Sequence, residues 1–135
     1  MKDNLIDSIW KHQPARPISA IVSHELKYAG KPSFDKRAEI AKTLKDLDAY
    51  AAILTLPESI AWLLNIRGSD VKYTPLALSY AILYQNAQVD WFVDQRKLTS
   101  KLDVKIGKDI FIQPELLFGE KLKELGNNKA AIMLD

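Results

Sequence analysis

The sequence predicts an α/β fold in which a mixed sheet of about five strands is flanked by helices. Short apolar runs rich in β-forming residues alternate with amphipathic segments of helical period. Two of the apolar runs are separated by only four residues, which predicts an antiparallel hairpin between crossover units. With 135 residues, of which 47% are hydrophobic, the chain has the size and composition of one globular domain.

The first part of the chain is predicted to be a connection followed by an arm. Residues 5–10 have apolar side chains at helical spacing, and residues 13–17 contain two prolines, which favour an extended linker. Residues 18–26 are expected to continue as an extended arm packed on the domain. We therefore expect residues 1–17 to form an interdomain helix and linker, and residues 18–135 to form the domain.

The middle of the chain predicts a helix, a strand and a second helix. Ser33 is expected to cap a helix that runs to Leu47, because an apolar face recurs at helical spacing after it. Residues 49–56 are almost continuously apolar and precede Pro57, which is typical of a strand buried on both faces. Pro57 then suits the first position of a helix over residues 58–64.

The remaining elements follow the same two periods. The hairpin is predicted over residues 78–84 and 89–93, a helix over 98–106 before Gly107, and a short strand over 110–112. Pro114 is expected to start a helix that ends before Gly126, and residues 130–134 form a last buried strand. Because the chain stops one residue after that strand, we expect the domain to be truncated at its C-terminus.

Charge and composition exclude several classes of protein. The net charge is +2, from 19 basic and 17 acidic residues without a basic run, so we expect no nucleic-acid partner. The absence of cysteine excludes thiol nucleophiles and disulfides and fits a reducing compartment. No apolar stretch reaches the roughly 20 residues that span a bilayer, so we expect no membrane partner and a cytoplasmic location.

The residues with the most chemical potential lie in one loop, predicted over residues 65–75. Arg67, Ser69, Asp70 and Tyr73 are the candidates for a substrate-cleft or interdomain role, because loops on a rigid scaffold often carry sites. The same residues also suit an ordinary turn, in which Asp70 or Ser69 bonds the nearby backbone and Arg67 pairs with a surface acid.

Elsewhere the sequence predicts structural roles. The histidines, His12 and His24, lie near the linker, and no metal-binding, triad or phosphate-loop motif occurs, so we assign no catalytic residue and no metal ligand. Trp62 and Trp91 are expected in the core or on a sheet face. The lysine-rich segment 97–108 is expected to be a solvated face.

A longer run carries a resemblance to a known family. Residues 57–70 read PESIAWLLNIRGSD, which resembles the middle domain of the three-domain aminopeptidase P (Xaa-Pro aminopeptidase) family. Residues 4–10, with Arg16 and Pro17, resemble that family's join between its first and second domains. Tyr73-Thr74-Pro75 and the WFVD at 91–94 match as well, whereas the turn Asn86-Ala87 departs from the family's Asp-Gly type.

The resemblance implies a fold, an activity and partners. It implies a creatinase N-terminal-like α/β domain, inactive alone, that shapes and caps the substrate cleft of a metallo-aminopeptidase. That enzyme releases an N-terminal residue preceding proline, using two divalent metal ions, typically Mn²⁺, bound by a C-terminal catalytic domain outside this chain. The implied partners are the enzyme's own N-terminal and C-terminal domains, a peptide with proline second, and a second copy in a homodimer.

Two other interpretations remain open from sequence. The first is a catalytically dead peptide-binding or interaction module on the same scaffold, which fold alone does not separate from the peptidase domain. The second is a self-contained α/β protein that binds a small ligand.

Overall fold

The structure is a computed structural model that describes residues 6, 9–99, 102 and 107–135. Its elements in chain order are β1 (Val22–Ser23), α1 (Leu26–Ala29), α2 (Ser33–Asp46), β2 (Ala51–Leu54), α3 (Pro57–Leu64), β3 (Ile66–Arg67), β4 (Tyr80–Tyr84), β5 (Val89–Val93), β6 (Ile110–Pro114), α4 (Phe118–Asn127) and β7 (Ile132–Leu134), with 3₁₀ turns at Gln95–Lys97 and Glu115–Leu117.

The larger sheet has the strand order β6-β5-β4-β2-β7. Strand β4 pairs antiparallel with both β2 and β5. At the two edges, β6 is parallel to β5 and β7 is parallel to β2. A second, small sheet pairs β1 with β3 antiparallel. The mixed five-stranded sheet flanked by helices confirms the fold class predicted from the sequence.

Each face of the larger sheet buries its own apolar cluster. On one face the alternate strand residues pack with α2 and α3, and this cluster contains Leu44, Leu63 and Trp91. On the other face Ile53, Phe92 and their neighbours pack under α4. All four residues of β2 are buried, as its continuous apolar run predicts, because β2 lies between neighbours on both edges and apolar clusters on both faces.

The predicted hairpin between β4 and β5 is confirmed. The N–H of Ala87 donates to the carbonyl of Tyr84 at 2.9 Å, and the N–H of Gln88 donates to Oδ1 of Asn86 at 3.0 Å. Ala87 has φ of 65°, in the left-handed region where a Cβ is unfavourable. The turn therefore holds an alanine in a conformation that glycine adopts more easily.

Replacing Ala87 by glycine should raise the free energy of unfolding by about 0.5–1 kcal/mol, because relief of left-handed strain exceeds the added entropy of the unfolded chain. Thermal unfolding followed by circular dichroism measures this. Ala131→Gly is the control, since Ala131 is an exposed residue without a positive φ and should lose stability when changed to glycine. An equal loss in both variants would contradict the prediction.

Several predicted helix boundaries are wrong. Pro32, in extended conformation, occupies the N-cap of α2, and Ser33 is its first helical residue. Pro114 closes β6 instead of starting a helix, because its ψ of 133° is extended; α4 begins at Phe118, after a 3₁₀ turn. Gly126 lies inside α4, which continues to Asn127.

Three burial predictions also need correction. Strand β7 is exposed, with Leu134 74% accessible, because it lies at the edge of the sheet. Trp91 is buried as expected, but Trp62 is 49% exposed because it lies on the outer side of α3. The solvated face predicted over residues 97–108 is wrong at its first residue, because Lys97 is only 3% exposed.

Two predicted helices lie largely outside the described residues. Of the helix expected over 98–106, only Leu98, Thr99 and Leu102 are described. Of the helix expected over 5–10, Ile6, Ile9 and Trp10 are described. The N–H of Trp10 donates to the carbonyl of Ile6 at 2.9 Å, a bond of helical spacing.

Candidate functional site

The loop that carries the candidate residues begins with a strand. Ile66 and Arg67 form β3, which pairs with β1 of the extended arm in the register Val22 with Arg67. The arm therefore packs on the domain as predicted, with Ile21 fully buried. The loop predicted over residues 65–75 therefore contains a short strand, β3, near its start. The local sequence does not reveal this strand, because its pairing partner lies in the arm.

After β3 the chain folds back on itself. The N–H of Gly68 donates to the carbonyl of Pro75 at 3.2 Å, and the N–H of Asp70 donates to the carbonyl of Leu76 at 3.0 Å. Val71 and Thr74 form an isolated antiparallel bridge. These bonds define a compact projection whose end, residues 71–74, we call the loop tip.

Gly68 is the point of closest approach in this projection. A Cβ at residue 68 would lie 2.7 Å from the Cβ of Ala77 and 3.0 Å from its Cα and N. Contacts this short with backbone atoms are not relieved by rotating a side chain. The glycine is therefore required by packing, and its φ is not in the left-handed region.

Asp70 and Lys97 form a buried ion pair beneath the loop tip. Lys97 Nζ lies 2.7 Å from Asp70 Oδ2, and the two side chains are 3% and 0% exposed. The N–H of Leu78 donates to the same Oδ2 at 2.8 Å, and the N–H of Ser19 donates to Oδ1 at 3.2 Å. Lys97 Nζ also donates to the carbonyl of Leu78 at 3.0 Å. The carboxylate is thus fully occupied by protein donors.

The four candidate residues therefore differ in exposure. Asp70 is internal and bonds the nearby backbone, as the interpretation of the loop as an ordinary turn expects. Ser69 and Tyr73 are exposed, and Tyr73 is 93% accessible with φ of 63°. Arg67 is half-buried; its guanidinium donates to the carbonyl of Ile66 at 2.9 Å and forms no ion pair within the described part of the chain.

Sequence reasoning missed Lys97 as a partner of Asp70. Lys97 ends the 3₁₀ turn after β5, which Asp94 caps by accepting the N–H of Arg96. This turn directs the lysine inward, 27 residues away from its partner. A lysine at the start of a lysine-rich stretch carries no local signal that marks it for burial.

A second missed residue is Lys36, which stabilises the C-terminal end of α3. Its Nζ donates to the carbonyl of Trp62 at 2.9 Å and to Oδ1 of Asn65 at 2.7 Å, and lies 4.6 Å from the centre of the Trp62 ring. Asn65 is left-handed and ends the helix. Burial lowers the pKa of Lys36, and the charges of Arg67 and Lys31 lower that pKa further.

The N-terminal end of α3 is held by a carboxylate from the far end of the chain. Asp135 Oδ1 accepts the N–H of Thr55 at 2.8 Å, and Oδ2 accepts the N–H of Leu56 at 3.1 Å. Burial raises the pKa of Asp135, but these bonds and the hydroxyls of Ser59 and Thr55 outweigh it, so the pKa lies below its ordinary value. The charged form is therefore favoured by folding.

Asp135→Asn should lower the free energy of unfolding by about 1 kcal/mol at pH 7, by analogy with loss of a helix cap. Because the folded pKa is the lower one, the stabilisation is present above the unfolded value of about 3.9 and is lost as the pH falls through the folded value. Urea midpoints of both proteins from pH 7 to pH 3 measure this. The difference between the two curves should begin to shrink as the pH falls below about 4; a difference that stays constant over the whole range would contradict it.

Residues 12–135 match the creatinase/prolidase N-terminal domain family. This chain belongs to that family. It is 38% identical over 122 residues to the probable Xaa-Pro aminopeptidase P of Talaromyces stipitatus, covering 89% of this chain and 18% of that protein. The creatinase/prolidase N-terminal domain therefore spans about a fifth of the length of such a relative.

Solved structures agree with this assignment. The X-prolyl aminopeptidase of Caenorhabditis elegans, described as a cytosolic enzyme with a di-nuclear active site, has a TM-score of 0.85 and 29% identity, over 99% of this chain and 22% of its own. The N-terminal domain of an X-Pro dipeptidase from Streptococcus pyogenes, at 21% identity and a TM-score of 0.51, shares the fold over 76% of each chain.

The metal chemistry of the C. elegans enzyme has no counterpart in the described part of this creatinase/prolidase N-terminal domain. Those residues contain no group of three or more His, Cys, Asp or Glu side chains placed to hold a metal ion. They do not fit a di-nuclear centre, and no metal ligand is assigned among them. None of the helices described here has the length and apolarity needed to cross a lipid bilayer.

Proposed function

We propose that this chain is the non-catalytic middle domain of an Xaa-Pro aminopeptidase and that it shapes and caps the substrate cleft. The observation that carries the proposal is its fit to the C. elegans enzyme over 99% of its own length and only 22% of that enzyme. A module embedded in this way in a larger peptidase leaves most of the enzyme, and room for the catalytic machinery, outside its boundaries.

The organisation of the enzyme follows from this assignment. In this proposal residues 1–17 are the connection to an N-terminal domain, and residues 18–135 are the middle domain. The C-terminal catalytic domain binds two divalent metal ions, Mn²⁺ in our proposal, and the enzyme acts in the cytoplasm as a homodimer. Its substrates are peptides with proline in second position.

The loop tip is the part of the domain that we place at the cleft. Tyr73 is almost fully accessible, and Ser69 and Arg67 lie at the base of the same projection. A cap of this kind excludes water and limits access to the chain termini of peptides. Asp70 acts on the cleft only indirectly, because its side chain is buried and paired with Lys97.

The test is a chimeric enzyme in which this chain replaces its matching segment in the C. elegans X-prolyl aminopeptidase. We expect the chimera to release the first residue from an Xaa-Pro peptide when Mn²⁺ is supplied. The chain alone with Mn²⁺ is the control and should show no turnover. An inactive but folded chimera, or turnover by the chain alone, would refute the proposal.

Binding by the isolated chain separates this proposal from the alternative of an interaction module. Calorimetric titration of the chain with the same Xaa-Pro peptide should show no saturable binding, because a cap contributes only one wall of the cleft. Saturable binding by the chain alone would favour a self-sufficient peptide-binding module instead.

A further inference from the structure

We propose that Asp70 and Lys97 are positioning residues, which hold the loop tip and the extended arm in one arrangement at the substrate cleft. This inference rests on the proposed function, since it concerns how the cap is oriented. The two residues do not touch the substrate themselves, because their side chains are 0% and 3% exposed.

The ion pair joins segments that are distant in sequence. Through Asp70 it binds the arm at the N–H of Ser19, and through both partners it binds the N–H and the carbonyl of Leu78. The N–H of Ile21 donates to the carbonyl of Lys97 at 2.8 Å, so the turn after β5 is fixed to the arm as well. One buried pair thus sets the relative positions of the arm, the loop, the lead into β4 and the turn after β5.

An ion pair in this place is explained better by geometry than by stability. Removing two charges from water is costly, and apolar side chains of similar size often stabilise a core equally well. What the ion pair adds is direction, because its bonds of 2.7–3.2 Å allow little movement of the segments that they join. This directional restraint acts immediately below the loop tip.

The conformation of Tyr73 indicates what is being held. A tyrosine with φ of 63° is strained, and such residues persist where the surrounding structure determines them. The surrounding bonds are the bridge between Val71 and Thr74 and the bond from the N–H of Asp70 to Leu76. They are anchored to the sheet through the ion pair, which keeps the aromatic ring projecting into solvent.

The experiment uses the double variant Asp70→Asn/Lys97→Met in the chimeric enzyme, because removing both charges leaves none unpaired in the core. We expect KM for an Xaa-Pro peptide to rise about tenfold with kcat changed less than about twofold, since a displaced cap weakens the binding of the substrate and of the transition state alike. Lys97→Arg alone, which retains the charge pair, should leave KM at the value of the unmodified chimera. Tyr73→Ala should raise KM in the same way without lowering the melting temperature.

Limited proteolysis of the 135-residue chain gives a readout that does not depend on activity. Trypsin should cleave after Lys72 about tenfold faster in the double variant than in the unmodified chain, because the exposed loop tip then opens more often into the extended backbone conformation that a protease binds. The single variant Lys97→Arg should be cleaved after Lys72 at the same rate as the unmodified chain. An unchanged cleavage rate would overturn the inference.

Leu44→Ala is the control for a general loss of stability. Leu44 is buried on α2 and takes part in none of the hydrogen bonds given above for Asp70 and Lys97. A folded double variant with unchanged KM, or an equal rise of KM in Leu44→Ala, would overturn the inference. An inactive unmodified chimera would contradict the proposed function instead, and cleavage after Lys72 would still decide whether the pair holds the loop.

Discussion

Lys97→Met should lower the free energy of unfolding by about 3–5 kcal/mol, the typical cost of removing one partner from a buried ion pair. The methionine fills a similar volume, but it leaves the carboxylate of Asp70 buried without its counter-charge. Urea unfolding at pH 7, followed by tryptophan fluorescence, to which the buried Trp91 contributes, measures this loss. Adding Asp70→Asn should recover a substantial part of it, because the unpaired charge is then removed.

The control is Lys121→Met on the surface of α4. Lys121 Nζ lies 3.0 Å from Glu124 Oε2, but both side chains are accessible to water. Exposed pairs of this kind contribute at most about 1 kcal/mol. If Lys97→Met cost no more than Lys121→Met, the buried pair would not carry the energy that its burial indicates.

Gly68→Ala should lower the free energy of unfolding by about 2–3 kcal/mol, since the added methyl group overlaps the backbone of Ala77 and the loop must move to relieve it. The same movement stretches the bond from the N–H of Gly68 to the carbonyl of Pro75. Thermal and urea unfolding of the chain measure the effect.

Gly126→Ala is the matched control for this change. Gly126 lies within α4, and a Cβ added there would meet nothing within 4 Å beyond its chain neighbours and the backbone of its own helix. Alanine is the better helix former, so this variant should gain about 0.5 kcal/mol. Opposite signs for the two variants are the expected result, and a loss of similar size in both would contradict the packing explanation.

The fold class was predictable because its signals are local. The all-apolar run of β2, the period of α2 and α3, and the hairpin spacing are properties of short segments, and the elements form where these signals lie. Helix boundaries were less predictable, since Pro114 suits both the end of a strand and the start of a helix. Its place was decided by pairing with Val93 in β5.

The candidate loop was also recognisable from sequence, but the roles within it were not. Residue type made Arg67, Ser69, Asp70 and Tyr73 candidates without showing which of them are buried. Only the fold separates the buried Asp70 from the exposed Tyr73, because burial depends on segments far along the chain. Two of the three tryptophans make the same point: Trp91 is fully buried and Trp62 is half exposed, although both lie in apolar runs.

The sequence by itself determined the alternation of helices and strands, the hairpin, the near-neutral charge and the family to which the chain belongs. These follow from periodicity, composition and short motifs, which are properties of neighbouring residues. The tertiary structure alone decided that Lys97 pairs with Asp70, that Asp135 holds the start of α3, and that the arm completes a small sheet with β3. Each of these contacts joins residues more than 25 positions apart, and such contacts arise only when the chain is packed.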